Sequence, residues 1–244
     1  MPPMRSLTLT ANTIANSRPP QILSIGFPDA LLGGGLRRSS LTGVFGRAGV
    51  GKSSFAFGAA SHVAASGYPV VYAVSPRESS VDQIIHMARR MSNSGSEPVG
   101  SGVHLAETES VDDAISVAKE LGAPLLVVDS LGAHTRFSSH AASSALDAMQ
   151  RFARDNDCAV LFLGAVRAMG FRAGGMAAVY QPDTVLDLLA GHNAAEPSDR
   201  ILRLEKNRWS PIGEMALRMT ASGLVAPRGD VEDGVSRLLH HDAS

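Results

Sequence analysis

Apolar residues fall along this chain in two rhythms. Short continuous runs at Leu41–Phe45, Val70–Val74, Val103–Ala106, Leu125–Val128 and Ala159–Leu163 predict strands buried on both faces. Between them lie helical patterns. Ser53–Ser66 is stopped by Gly67, and Val81–Met91 spaces Ile84, Ile85, Ala88 and Met91 on one face. Ser110 can cap a helix running to Leu121 with Asp112 and Asp113 in its first turn, and Ala142–Arg154 is a fourth helix. Strands alternating with helices of about 10–15 residues predict βαβ units and a parallel sheet. The end of the chain differs: Thr184–Leu189, Ile201–Glu205 and Glu214–Met219 read as strands with no helix between them. The expected fold is α/β, a mostly parallel central sheet flanked by helices with an antiparallel C-terminal edge. Residues 92–102, rich in Ser and Gly, predict a flexible loop. No internal repeat or long linker divides the chain, so one domain over 21–226 is expected between a disordered N-terminal tail, 1–20, and a C-terminal tail, 227–244.

Composition narrows the classes. The chain has 244 residues, 44% of them hydrophobic and 18% charged, with a formal net charge of −1. No apolar run approaches the roughly 18 residues that span a bilayer, and the N-terminus lacks the apolar core of a secretory signal. Residues 1–20 hold Arg5 and Arg18, several Ser/Thr and no acid, which faintly resembles a transit peptide; a disordered leader is the simpler reading. A soluble, cytoplasmic protein without membrane contact is expected. Cys158 is the single cysteine, which excludes an internal disulfide framework and a multi-cysteine zinc module. Its apolar surroundings mark it as a small core residue. The near-neutral charge gives no global basic footprint, so any nucleic-acid contact must be local.

One segment carries specific chemistry. Gly46-Arg47-Ala48-Gly49-Val50-Gly51-Lys52-Ser53, followed by Ser54, fits the pattern G-x-x-x-x-G-K-S/T between a strand and a helix. The glycines let successive backbone N–H groups curl around a β-phosphate, and the helix N-terminus adds positive potential. Lys52 then spans the β- and γ-phosphates, and the Ser53 hydroxyl takes Mg²⁺. ATP and Mg²⁺ are the expected cofactors. Leu125–Val128 ends in Asp129, which puts a carboxylate at the sheet edge where ligands of open α/β sheets bind. Asp129 is read as a second Mg²⁺ ligand, acting through water. Hydrolysis needs an acid to orient the attacking water. Ser-Leu-Gly follows Asp129, so the acid must come from elsewhere, and Glu78 beyond Val70–Val74 is the candidate. The alternative for Glu78 is a surface residue opening the next helix.

Together these residues resemble the bacterial RadA/Sms branch of the RecA-type ATPases, over roughly residues 21–226. Ile25–Pro28 followed by Leu32–Leu36 resembles the opening of the family's ATPase core. Val71-Tyr72 leading to Ser75–Ser79, and Val127–Ser130, are similar to its second-strand and Walker B segments. Lys206-Asn207-Arg208-Trp209 resembles the branch's K-N-R-F signature. The sequence departs from the family at four points, one of them Ser210 in place of the usual Gly. Arg77 stands where the first of two adjacent glutamates is usual, Trp209 replaces Phe, and Ala165 replaces the histidine that opens the second loop. The resemblance implies that Lys206 and Arg208 act catalytically across a subunit interface, as cations supplied in trans to a neighbour's ATP. The alternative is a solvated charge pair on an edge strand. The zinc module and the Lon-protease-like domain of the family are not seen in the sequence, and the chain reads as a stand-alone ATPase core.

The resemblance further implies a homo-oligomeric, six-membered ring with two loops lining its channel. The loop after Walker B, about Leu131–Ser144, carries Arg136; the next, Ala165–Ala178, carries Arg167, Phe171 and Arg172 and no acid. Cations beside an aromatic suit single-stranded DNA, through backbone neutralisation and base stacking. Two functions therefore compete: a RadA-like ATPase acting on single-stranded DNA in recombination and repair, and a KaiC-like ring that binds and regulates a protein.

Overall fold

The computed structural model describes residues 21–92, 100–166, 171–191 and 196–227. Its strands are β1 (Ile22–Leu23), β2 (Leu36–Arg37), β3 (Ser40–Gly46), β4 (Val70–Val74), β5 (Val103–Glu107), β6 (Leu125–Asp129), β7 (Ala159–Ala165), β8 (Thr184–Ala190), β9 (Asp199–Asn207), β10 (Gly213–Thr220) and β11 (Gly223–Val225). Nine of them form one sheet in the order β11-β10-β9-β8-β3-β7-β6-β4-β5, while β1 and β2 pair as a small antiparallel ribbon. The continuous apolar runs became its buried centre: all of β4 and β6 lie inside, covered on both faces. At the rim, β5 is only partly covered.

The helices are α1 (Asp29–Leu32), α2 (Lys52–Ala65), α3 (Val81–Ser92), α4 (Val111–Glu120), α5 (Leu131–His134), α6 (Ser139–Asp155) and α7 (Ala177–Tyr180). They cover two cores. Phe55, Ala56, Ala60 and Val63 of α2 pack with Val44, Tyr72, Val127 and Leu186 on one face; Leu146, Met149 and Phe152 of α6 pack with Phe45, Val128 and Phe162 on the other. Alternation along each strand sends neighbouring residues to opposite cores. Cys158 lies in the second core, with its thiol pushed up to about 12 by burial.

Strands β3, β7, β6, β4 and β5 are mutually parallel. The sheet extends the expected parallel part by one strand, because β8 still runs parallel to β3 and the reversal begins at β9. Ser110 caps α4 as expected, accepting from the N–H groups of Asp112 and Asp113. Two expectations need correction. The segment Leu131–Ser144 is not one loop, since it folds as the single turn α5 and then α6, which starts three residues before the expected Ala142 with Ser138 as its cap. The second loop is closed at its far end by α7. Most of the segment 92–102 lies outside the described residues, as do both tails beyond 21 and 227.

Candidate nucleotide site

The carboxyl ends of the parallel strands meet at one edge of the sheet, and chemistry collects there. The turn after β3 carries Gly46–Gly51 and runs straight into α2. Gly51 is the N-cap of α2 at φ 111°, a left-handed conformation that disfavours any side chain. A Cβ on Gly46 would stand 2.5 Å from the Leu188 carbonyl, so only glycine lets the loop start this close to β8. The first turn of α2 has no acid and no side-chain cap, so its N–H groups are left for an anion. Lys52 Nζ donates to the carbonyls of Gly46 and Arg47, 3.0 Å from each, and so arches back over the loop. Burial lowers its pKa, and the charges of Glu78 and Asp129 work against that shift.

Asp129 ends β6 level with Val74 of β4 and is 5% exposed. Burial raises its pKa, opposed by hydrogen bonds from Ser53 and Tyr72. The Tyr72 hydroxyl donates to Asp129 Oδ2 at 2.8 Å. Ser53 lies close enough to Asp129 to stabilise its carboxylate, and this pair of hard oxygen donors suits Mg²⁺. After β4 the chain turns on bonds from the N–H groups of Glu78 and Ser79 to the Ser75 carbonyl, and the Glu78 carboxylate accepts from the Ser130 hydroxyl. Glu78 thus stands against the Walker-type aspartate's own turn, within electrostatic reach of Lys52 and Asp129. Arg77 turns its charge to Glu109 instead. The structure brings Lys52, Ser53, Glu78 and Asp129 together, and the donor set fits ATP-Mg²⁺. A cavity of about 910 Å³ lies beside the outer face of the phosphate loop, walled by residues such as Arg47, Phe171, Met176 and Leu189.

Lys206 and Arg208 lie elsewhere. Lys206 pairs with Val185, which pairs with Gly43, so β9 ends toward the sheet edge opposite the phosphate loop. Three residues of strand separate that level from Gly46, roughly 10 Å. Arg208 lies farther along. Within its own chain Lys206 donates to the Tyr180 and Pro182 carbonyls, and Arg208 pairs with the buried Asp183 at 2.8 Å. Burial lowers the Lys206 pKa and the nearby Arg208 charge adds to the effect. The Trp209 ring lies under the Arg37 guanidinium, 5.8 Å away.

Of the loop residues, Arg136 is well exposed and 3.8 Å from Glu109. Phe171 is 66% exposed. Arg172 is turned inward, ion-paired with Asp187 and resting 5.0 Å over the Phe45 ring. Arg167 lies outside the described residues. Sequence reasoning missed Tyr72, Ser130 and Asp183 as partners of the site residues. Tyr72 carried a signal, as the one polar-tipped side chain within an aliphatic strand.

No family model matches the chain. The curated DNA repair protein RadA of Brucella abortus (strain 2308) is 30% identical over 238 residues, which is 90% of this chain and 48% of that protein. The RadA of Pseudomonas aeruginosa is 29% identical over 206 residues, 80% of this chain and 43% of its own length. The chain spans about half the length of the curated relatives it matches. Among solved structures, a RadB recombinase superposes with a TM-score of 0.65 at 25% identity, covering 85% of this chain and all of that one. Among the described residues no helix is long and apolar enough to cross a membrane.

Proposed function

The chain belongs to the RadA/RecA-like branch of the RecA-fold proteins, and on that premise we propose that it is an ATPase that binds ATP-Mg²⁺, assembles into rings and acts on single-stranded DNA in recombination and repair. The observation that carries this reading is the convergence of Lys52, Ser53, Asp129 and Glu78 at one sheet edge, with Asp129 held by the Tyr72 hydroxyl and Ser53 beside it. Bound Mg²⁺ would supply charge neutralisation across the β- and γ-phosphates. The loop N–H groups and α2 hold the β-phosphate, and Lys52 exchanges its carbonyl partners for phosphate oxygens. Ser53 and Asp129 orient the metal's shell. Glu78 orients the attacking water and takes up its proton. Lys206 and Arg208 face away from their own phosphate loop, which supports a role at a neighbour's site in a head-to-tail ring. A cytoplasmic location belongs to the same reading.

The KaiC-like alternative, a ring that regulates a protein partner, is favoured by one observation: Arg172 and Arg136 both have acidic partners within the chain. ATP turnover measured with and without single-stranded DNA separates the two. Stimulation by DNA supports the repair ATPase, turnover indifferent to DNA supports the protein-binding ring, and no turnover under either condition defeats both.

A further inference from the structure

Ser130 follows Asp129 and turns the chain into α5, and its two polar groups face different partners. Its hydroxyl donates to the Glu78 carboxylate. Its carbonyl accepts from the His134 backbone N–H at 3.1 Å and lies 2.9 Å from Nδ1 of the His134 ring. A carbonyl oxygen has no proton to give, so the ring must be the donor. That fixes the tautomer: Nδ1 carries the hydrogen and Nε2 carries a lone pair. The ring is 7% exposed, and its Nε2 is buried without a hydrogen-bond partner among the described residues. Burial holds the ring's pKa below the ordinary value, against the pull of the Ser130 carbonyl and of the Asp129 and Glu78 carboxylates, which favours the neutral ring.

A core-filling role explains none of this. Leu131 and Ala133 of the same turn are fully buried, and a leucine at 134 would fill similar space without an orphaned acceptor. The polar ring is connected to the site through one residue. His134 holds the Ser130 carbonyl, Ser130 holds Glu78, and Glu78 faces Lys52.

We propose that His134 is a positioning residue for Glu78: its Nδ1–H grips the Ser130 carbonyl so that the Ser130 hydroxyl stays on the Glu78 carboxylate, and its Nε2 lone pair takes a donor, such as a water molecule, that settles when nucleotide fills the site. The proposal rests on the reading of Glu78 as the group that orients the attacking water. It makes α5 a link between the phosphate site and the loop that follows, where Arg136 and Phe137 both adopt positive φ.

The test compares His134→Leu, which keeps bulk and loses the donor, with His134→Asn, whose amide N–H can stand in for Nδ1–H. Ser130→Ala and the double variant Ser130→Ala/His134→Leu complete a cycle. In the full chain, His134→Leu and Ser130→Ala should each lower kcat by about five- to tenfold with KM for ATP changed less than about twofold. The double variant should be no slower than the slower single, because the two residues act as one unit. His134→Asn should recover most of the loss. Wild-type kcat in a folded His134→Leu, or losses that multiply in the double variant, would overturn the proposal. A second measurement does not depend on turnover or on the leucine variant folding. Two-bond ¹H–¹⁵N correlation of the wild-type ring should show a proton on Nδ1, and the Nε2 signal should move on adding ATPγS with Mg²⁺. A proton on Nε2, or an Nε2 signal indifferent to the nucleotide although it binds, sinks the proposal. A wild-type protein without turnover would sink the ATPase reading and leave the ring's tautomer and response to decide this one.

Discussion

The two halves of the sheet use the same backbone geometry to opposite ends. In the parallel half, β3, β4, β6 and β7 all run one way, so Lys52, Glu78 and Asp129 come out at a single edge although they lie far apart in the sequence. In the antiparallel half, β9 reverses and delivers Lys206 and Arg208 to the far edge. Each half places two or more charged residues of a kind used on phosphates; Arg200 at the start of β9 touches the chain's own phosphate loop through the Val50 carbonyl, but Lys206 at the other end of β9 stands level with Gly43 and Arg208 lies beyond it. A parallel sheet concentrates chemistry within one molecule; an antiparallel edge exports it, which serves catalysis only when another copy is present.

The comparison breaks first, and with the largest effect, at Lys52. Lys52→Ala removes the cation over the loop and should abolish ATP turnover, read as phosphate release, while the fold persists because the two carbonyls it leaves keep backbone donors, the Val166 N–H for Gly46 and the Val50 N–H for Arg47. Wild-type-like hydrolysis would mean that the parallel edge is not the reactive one. Glu78→Gln keeps size and a partner for the Ser130 hydroxyl but loses the charge. ATP binding should remain, and turnover should fall by at least about tenfold, roughly 1.4 kcal/mol of barrier. Unchanged turnover would leave Glu78 as an exposed residue of the turn after β4 without a role in the chemistry, and require another acid.

The parallel half was legible in the sequence because each cue there was local. Leu125–Val128 had to be a buried strand, and Asp129 at its end had to reach an edge. The loop Gly46–Ser53 sits between a strand and a helix, as its pattern requires. What escaped were partnerships across the sheet. That Tyr72 would hold Asp129, or that Ser130 would hold Glu78, depends on the register of β4 against β6, and periodicity does not set register between distant segments. The short turn α5 escaped because four residues show no helical period. Arg172 read as a free loop cation, since nothing local reveals that Asp187 waits fifteen positions later on β8.

The exported cations give the next test. If Lys206 and Arg208 serve a neighbour, activity per chain should climb with protein concentration. Lys206→Ala/Arg208→Ala should be slow at every concentration, and equal mixing with wild type should give less than half the unmixed wild-type rate as mixed rings form. A fully active monomer would leave both residues as local ties, Lys206 to the Tyr180 and Pro182 carbonyls and Arg208 to Asp183. Loss of Arg208 also strips the buried Asp183 of its cation and leaves it the Leu41 N–H, so unfolding must be measured alongside, and the mixing result is the one that separates the two roles.

The smallest effect is expected at Arg136, which leaves the parallel half's reactive edge and faces solvent. Its side chain is 76% exposed and its pair with Glu109 is 3.8 Å long. An exposed pair of this kind contributes about 0–1 kcal/mol, so Arg136→Ala should barely move the unfolding temperature. Alanine suits this position better than glycine for the test: Arg136 has φ 51°, and glycine would add backbone freedom to the change in charge. Arg172→Ala is a poorer probe, because it would strand Asp187, whose Oδ1 is already buried without a partner among the described residues. If the loops grip single-stranded DNA, each phosphate contact contributes about 0.7 to the slope of log affinity against log salt. Arg136→Ala should lower that slope by about this much per chain in contact, with ATP turnover in the absence of DNA unchanged. An unchanged slope with wild-type binding removes Arg136 from the interface, and the absence of salt-sensitive binding by wild-type rings favours the protein-binding alternative.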